Sequence, residues 1–508
     1  MRHQFTLGER IVLETGAVQR MARLRQTGLA YLTIPTNENS RLPHCMGTAY
    51  WTARFIDAMR VNDYAEHVGD GYHDIDGNRE RLAHLEALLG PDLSLDLLAR
   101  LYALVHDSDL LPFGHTLSYQ LGFYPPPGNI ARFAKYVRVI AEQVTDSPLL
   151  AAIEDEAERA QTLAALHRHL DAAEAVATSV NLLSGKPGGH STQSDAEVAR
   201  LLPVYTFVET LVTATVSTDL LDFSLRDTLG ASTPWQFDAE LLRSVCVFAT
   251  PPAGREPALL AGVADPTGRP VDMLFRFGVS AVGDGRVNHR AVTYVVDLLR
   301  VRYEVLERIV YSPGKCAADA MLDRGIRNIN SHHAGEPFPE PELLALGDDQ
   351  FLDYLEADEL KVNLPPDCRP VMGELKARRL WREAYRLEDR SRLSEPAVEL
   401  LRPAKEPSQR DLIEERLLKE LPGVPPSEIV VSCLPLNMQM KDPDVLIGWA
   451  DGAVLPLGEL AATTGYAEEA LGITKRYSSL WSLSVYTRAV TSAQLEAVRK
   501  AATALFEN

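Results

Sequence analysis

The chain has few cysteines: Cys45, Cys246, Cys316, Cys368 and Cys433 are the five among 508 residues. Their number is odd, their spacing is wide and no CxxC pair occurs, which excludes a disulfide framework and a zinc ribbon. Basic residues are also scarce, with 51 Lys and Arg against 70 Asp and Glu and a formal net charge of −19. That balance argues against broad electrostatic binding to nucleic acid, which needs a basic surface. A local basic pocket or a bound divalent cation can still receive a small anion. No uninterrupted apolar run reaches about 18 residues, so no membrane span is expected. The opening MRHQFTLGERIVLETG lacks the apolar core of a signal peptide. The expected setting is the reducing cytoplasm.

Other signals fail on inspection. GVSAVGDG at 278–285 precedes no Lys-Ser/Thr and is a turn, not a phosphate loop. DGYHDIDGNRE at 70–80 begins like a calcium loop, but position twelve falls on Ala83 instead of a bidentate Glu. No internal repeat or low-complexity tract occurs.

What is present reads as a soluble globular protein, with 46% apolar and 24% charged residues. Helical spacing runs through 17–27, 46–60 and 92–107, the last with Asp92 as N-cap, then through 147–183, 196–214, 218–229 and 289–326. LLRSVCVFAT, PALLAGVAD and PVDMLFRFGV within 242–283 are β-like runs separated by Pro/Gly turns. SHHAGEPFPEPE at 331–342 is the candidate boundary. Beyond it, EIVVSCLPL, DVLIGWADGAVLPL and SLWSLSVYT read as strands, with a hairpin about Asp451-Gly452, and 489–506 as a closing helix. The expected fold is mainly α over 1–330, with a β-rich insertion at about 242–283 and a C-terminal α+β region over 343–508.

Most of the 13 histidines carry no partner pattern, and His73, His84, His167 and His169 read as surface residues. His332 and His333 sit in the predicted break and read as a polar loop. Three stretches stand apart: ENSRLPHCMGTAYW with Arg41 and His44, LVHDSDLLPFGHTL with His106, Asp107 and His115, and STDLLDFSLRDTL with Asp219, Asp222 and Asp227. Imidazole and carboxylate neighbours on one helix can share a metal, with the remaining ligands coming from other helices. Such a donor set suits a first-row divalent ion, and open positions would admit water and substrate. Asp109, one step beyond the His-Asp pair, is placed to orient a ligand imidazole or to end the helix in solvent.

The order H…HD…D resembles the HD-domain phosphohydrolase superfamily, and more closely its deoxynucleoside-triphosphate triphosphohydrolase-like branch. QRMARLRQTG at 19–28, RLPHCMG at 41–47, HDSDLLPFGH at 106–115 and DLLDFSLRD at 219–227 keep that branch's internal spacings. RIVYSPGKCAADAML at 308–322 is similar to the start of its Tyr-containing helix. The resemblance covers about 10–330 and implies an HD-type helical core. It implies His44, His106, Asp107 and Asp219 as ligands of a divalent metal (Mn, Fe, Ni, Zn or Mg). Arg41 would contact phosphate, His115 would assist proton transfer beside the scissile phosphate, and Gln26, Asp227 and Tyr311 would line the nucleotide pocket. The implied reaction is metal-activated attack of water on phosphorus in a (deoxy)nucleoside triphosphate or related nucleotide, by a homo-oligomer. Departures accompany it. Leu110 replaces a catalytic-loop His, Ser118 a carboxylate, Leu220 a basic residue, Phe223 a Tyr and Pro313 a His, and FYPPPG stands at 123–128. A modified nucleotide substrate, a phosphomonoesterase or a weakly catalytic nucleotide-binding regulator are the alternatives. Residues 61–88 read as an insertion, a lid or an oligomer contact.

Overall fold

Apolar residues at helical spacing recur along the chain, and helix is what they form: 64% of the described residues are helix and 9% strand. A computed structural model describes residues 5–65, 77–125, 130–183, 193–230, 235–237, 240–265, 268–283, 286–331, 338–361, 369–438, 440, 443–449, 452–462, 465–489 and 491–507. Several expectations fall outside them: His73, the adjacent His332 and His333, Asp451, Cys368, Pro127, most of the loop at 184–195 and the centre of the 61–88 insertion. Among the described residues no helix is long and apolar enough to cross a membrane.

The core that positions the site is a set of packed helices. Arg41–Ala65 lies against Leu95–Val105 and Thr218–Gly230, and Glu156–Leu183 bridges Leu95–Val105 and Asp195–Val212. Leu98, Leu101, Leu104 and Val105 are buried, as are Cys45, Ala49, Phe55 and Ile56 on the facing helix. A hydroxyl pair, Thr52 Oγ1 to Thr218 Oγ1 at 2.9 Å, fixes Arg41–Ala65 against Thr218–Gly230. The N-cap of Leu95–Val105 is Ser94, whose Oγ accepts from Leu97 N at 3.4 Å, and not the expected Asp92. Ser94 N in turn donates to His169 Nε2 at 2.9 Å, and His169 is buried. That histidine is therefore a structural one, not a surface one.

Local signals explain the other departures. The expected helix at 147–183 breaks into Pro148–Ala151 and Glu156–Leu183. The one expected at 289–326 becomes His289–Val305, a π-type turn over Leu306–Val310, and Pro313–Asn330. Pro313 restarts the helix at its first turn, where a missing N–H costs nothing, behind a Ser312 cap. The start of PALLAGVAD (257–265) lies in the short helix Glu256–Leu260 instead of a strand. A short apolar run cannot separate strand from buried helix by periodicity alone.

Strands β1 (Val245–Thr250) and β2 (Leu274–Ser280) are antiparallel, with Val247 opposite Phe277. β3 (Val282–Gly283) and β4 (Arg286–Val287) form a small ribbon. β5 (Arg382–Leu387), unforeseen because of its alternating charges, pairs with β9 (Leu483–Thr487), which also pairs with β6 (Ile429–Cys433). The hairpin expected near Gly452 joins β7 (Leu446–Gly448) to β8 (Val454–Pro456). β7 runs parallel to β2, giving the order β1-β2-β7-β8. The β-rich segment and the C-terminal region thus share one sheet across the expected boundary.

A buried charge network ties the Pro313–Asn330 helix to the helix Pro407–Lys419. Arg327 donates to Glu414 Oε1 and Oε2 at 2.8 Å and to Asp323 at 2.9 Å. Arg410 reaches Asp323 at 2.6 Å and Leu121 O at 2.8 Å. Glu414 also pairs with Arg324 and accepts from Val431 N at 2.9 Å. Removing one partner leaves buried charges uncompensated. Glu414→Ala is expected to lower stability by about 3–5 kcal/mol in urea unfolding, and Glu414→Gln by less. An unchanged midpoint would show that the network contributes nothing.

Candidate metal centre

The first turn of Arg41–Ala65 carries His44 three residues after Arg41, with Pro43 tolerated where backbone N–H groups have no helical partner. His106 closes the Leu95–Val105 helix and Asp107 follows it. Asp219 lies in the first turn of Thr218–Gly230. Helix packing therefore delivers the four residues from three elements to one place.

His44 Nε2 lies 2.9 Å from Asp219 Oδ1 and 3.9 Å from Asp107 Oδ2. His106 Nε2 lies 3.6 Å from Asp219 Oδ1 and 3.8 Å from Asp107 Oδ1. Ligand bonds of about 2.0–2.2 Å put adjacent donors roughly 3 Å apart, so these separations suit one ion. His44, His106 and Asp219 form the tight group, with donor atoms within 4.8 Å of one another. Asp107 stands at its edge, because Arg41 Nη1 holds its Oδ2 at 2.6 Å.

The histidine rings are oriented from behind. His106 Nδ1 is 2.8 Å from Ala103 O, a carbonyl that can only accept, so Nδ1 carries the proton. His44 Nδ1 is 2.9 Å from Asp222 Oδ2, again an acceptor. Both Nε2 atoms are buried and form no hydrogen bond. A neutral imidazole protonated at Nδ1 has its lone pair at Nε2, which is the form that ligates a metal. Two Nε2 atoms aimed at one point fit a divalent cation once His44 has given up its Nε2 proton.

Asp222 was visible in the sequence but received no role there. Its spacing of three from Asp219 was the available signal, since both side chains then lie on one helix face. Asp219 meets one nitrogen of His44 and Asp222 the other. Arg226 holds Asp222 through Nε at 3.0 Å and Nη2 at 2.9 Å. Gly47 makes the approach possible: a Cβ there would lie 1.8 Å from Asp222 Oδ1. Asp109, buried beside the cavity, is not what orients either ring.

Electrostatics follow from the crowding of carboxylates. Burial disfavours the His44 cation, but Asp219 and Asp222 outweigh it and raise its pKa to about 10. Burial likewise opposes the His106 cation, and Asp107 and Asp219 again win, raising it. Burial pushes Asp107 up, yet Arg41 and the two histidines bring it down to about 2. Asp219 is held well below the usual carboxylate range against its desolvation, by the close approach and charge of both histidines.

His106, Asp107 and Asp219 line a cavity of about 720 Å³, within the range of small-molecule sites, and His44 is fully buried beside them. Gln26, Arg41, His115 and Tyr311 line it. Arg41 spans Asp107 and the Gln26 carbonyl, Nη2 to O at 2.8 Å. Gly114, at φ 60°, lets the guanidinium pass, since a Cβ there would meet Nη2 at 3.1 Å. The His115 ring is exposed to the cavity. Enclosure by the cavity walls and the charge of Arg41 lower its pKa to about 4, and cavity solvent relieves part of that push. His115 is therefore neutral at pH 7. Asp227 is not on the cavity wall: it is buried behind the centre, near Asn39 Nδ2 at 3.4 Å, with its pKa raised by burial to about 6. Leu110 is buried in the core, its carbonyl accepting from Arg20 Nη2 at 2.9 Å.

Residues distant in sequence complete the cavity. Met440 and Tyr477 reach it from the C-terminal region, and Tyr477 Oη pairs with Tyr311 Oη at 2.9 Å. Two π-type turns, Thr116–Gln120 and Leu306–Val310, face it, a form of helix often found at functional sites.

Gly47→Ala and Asp222→Ala are each expected to weaken Mn²⁺ binding about 10–100-fold while helix content stays unchanged. Calorimetry and circular dichroism test this; equal affinity in both variants would remove Asp222 from the centre. His44 must also exchange its Nε2 proton for the ion. Metal uptake should therefore release protons at pH 7 and tighten as pH rises, and calorimetry in buffers of different ionisation enthalpy reads that release.

Comparison with known proteins returned no match, either to a protein-family model or to a curated protein.

Proposed function

We propose that the protein is a divalent-metal-dependent phosphohydrolase with an HD-type helical core, acting on a nucleotide, with a (deoxy)nucleoside triphosphate as leading substrate. One observation carries the reading. Two buried Nε2 atoms, each fixed by an Nδ1 hydrogen bond, converge with Asp219 and Asp107 beside a cavity of small-molecule size. The HD-superfamily resemblance supplies the reaction class.

His44, His106, Asp107 and Asp219 would hold the ion. When bound, a divalent cation supplies Lewis acidity, polarising a phosphate oxygen and acidifying water. Arg41 keeps Asp107 in place and offers positive charge at the cavity wall, where charge on phosphate oxygens develops. Neutral His115 accepts a proton there, and the negative charge of an arriving phosphate chain raises its proton affinity.

The test has two stages. Metal analysis of the purified protein is expected to give a bound divalent ion. A panel of nucleoside and deoxynucleoside mono-, di- and triphosphates is then expected to yield phosphate, pyrophosphate or triphosphate. Stoichiometric metal with no product from any nucleotide would overturn hydrolysis. Asp107→Ala should abolish turnover, and persistent activity with retained metal would contradict its place in the centre. His115→Asn should leave metal content unchanged and reduce kcat by about 10²–10⁴-fold.

A further inference from the structure

Lys315 is a buried lysine whose ammonium is fully satisfied. Its Nζ donates to Thr116 Oγ1 at 3.3 Å, to Gln120 Oε1 and to the Asp319 carboxylate. An ammonium has three protons and no lone pair, so three acceptors use its whole capacity. The arrangement has a consequence for Gln120. The two ends of a glutamine amide have nearly the same shape, and their orientation follows from their partners. Here the partner is a group that can only donate, so the end facing Lys315 is the oxygen. Thr116 agrees: its Oγ1 accepts from Lys315 and donates to Gln120 Oε1 at 3.1 Å.

With Oε1 accepting from both neighbours, the amide is turned so that its NH₂ is left for the cavity that Gln120 lines. Gln120 sits at the end of the Thr116–Gln120 turn, whose Tyr119 N and Gln120 N both donate to His115 O, at 2.8 and 3.2 Å. The amide therefore stands one turn from the imidazole proposed to accept a proton.

We propose that Gln120 is a specificity-determining residue that donates through its NH₂ to a non-reacting oxygen of the ligand's phosphate chain, with Lys315 as the positioning residue that fixes the amide. A phosphate oxygen matches because it can only accept, whereas a sugar hydroxyl both donates and accepts. The assignment rests on the nucleotide reading above. It adds that this chain distinguishes a phosphate chain from a single phosphate with a neutral amide held by a buried cation.

Gln120→Glu keeps both contacts with Lys315 and Thr116 and removes the donor, while adding a negative charge. Gln120→Met removes the donor without adding charge. Binding of one nucleoside as mono-, di- and triphosphate is measured by calorimetry with Ca²⁺, and kcat and KM with Mn²⁺. In both variants triphosphate affinity is expected to fall at least about tenfold, the worth of one charged-acceptor hydrogen bond, with monophosphate affinity within about twofold. Lys315→Met should give the same selective loss, and combined with Gln120→Met no further loss. Wild-type selectivity in both Gln120 variants would overturn this inference while leaving the nucleotide reading intact. Wild-type protein that binds no nucleotide would overturn both. Equal loss of mono- and triphosphate binding in Lys315→Met would make that lysine purely structural and overturn its positioning role.

Discussion

The hydrogen bond from His44 Nδ1 to Asp222 Oδ2, 2.9 Å long and fully buried, is what the centre depends on. It fixes the ring and turns Nε2 towards Asp219 and His106. The bond exists because Gly47 has no side chain, so that Asp222 can approach the Arg41–Ala65 helix. Arg226 then holds the carboxylate from its other side. His106 reaches the same state by a different route, giving its Nδ1 proton to a carbonyl at its own helix end. A helix end has carbonyls without helical partners, so the helix supplies an acceptor and orients a ring at once.

A second layer of the structure holds the loop that faces this centre. Phe113, with φ 61°, is a non-glycine residue in the left-handed region, a conformation that costs about 1–3 kcal/mol. Its N–H donates to Asp348 Oδ1 at 2.7 Å, and Asp348 Oδ2 accepts from Arg25 N at 2.7 Å. One buried carboxylate thus pins both the turn before His115 and the segment before Gln26. Burial raises its pKa to about 6, against the pull of the two amides. Relative to the unfolded chain, that residue's contribution to stability is complete below its ordinary pKa and is lost as pH rises through about 6. Asp348 lies beyond the expected domain boundary, as do Met440 and Tyr477. The C-terminal region therefore forms part of the cavity and its support.

The sequence made some of this legible and hid the rest for physical reasons. RLPH, the HD pair and DLLDFSLRD are short and local, so they can be read directly, and the HD-superfamily resemblance implies that they converge. Asp222 stood in plain view, but orientation of a ring is a three-dimensional relation that residue type does not announce. Lys315 and Gln120 are 195 positions apart. A buried lysine reads from sequence as an exposed one, since lysine is almost never fully buried without partners. Asp227 carried the right letter at the right spacing, yet its helix turns it behind the cavity. The β5 strand is hidden in the sequence because Arg382, Glu383 and Arg386 surround its buried Ala384, Tyr385 and Leu387, whose burial does not alternate. The sheet that joins β2 to β7 depends on a pairing between segments far apart in the chain, which no local pattern encodes.

The central claim is that His44 and His106 present unprotonated Nε2 atoms to one divalent ion while Asp222 and Ala103 retain the Nδ1 protons. Nitrogen-15 NMR of histidine-labelled protein during titration with Zn²⁺ measures this directly. The account predicts that the Nε2 resonances of these two histidines move together to metal-bound positions at one equivalent, with both Nδ1 atoms still protonated. Ligation through Nδ1, or a titration that leaves either ring unperturbed, would contradict it.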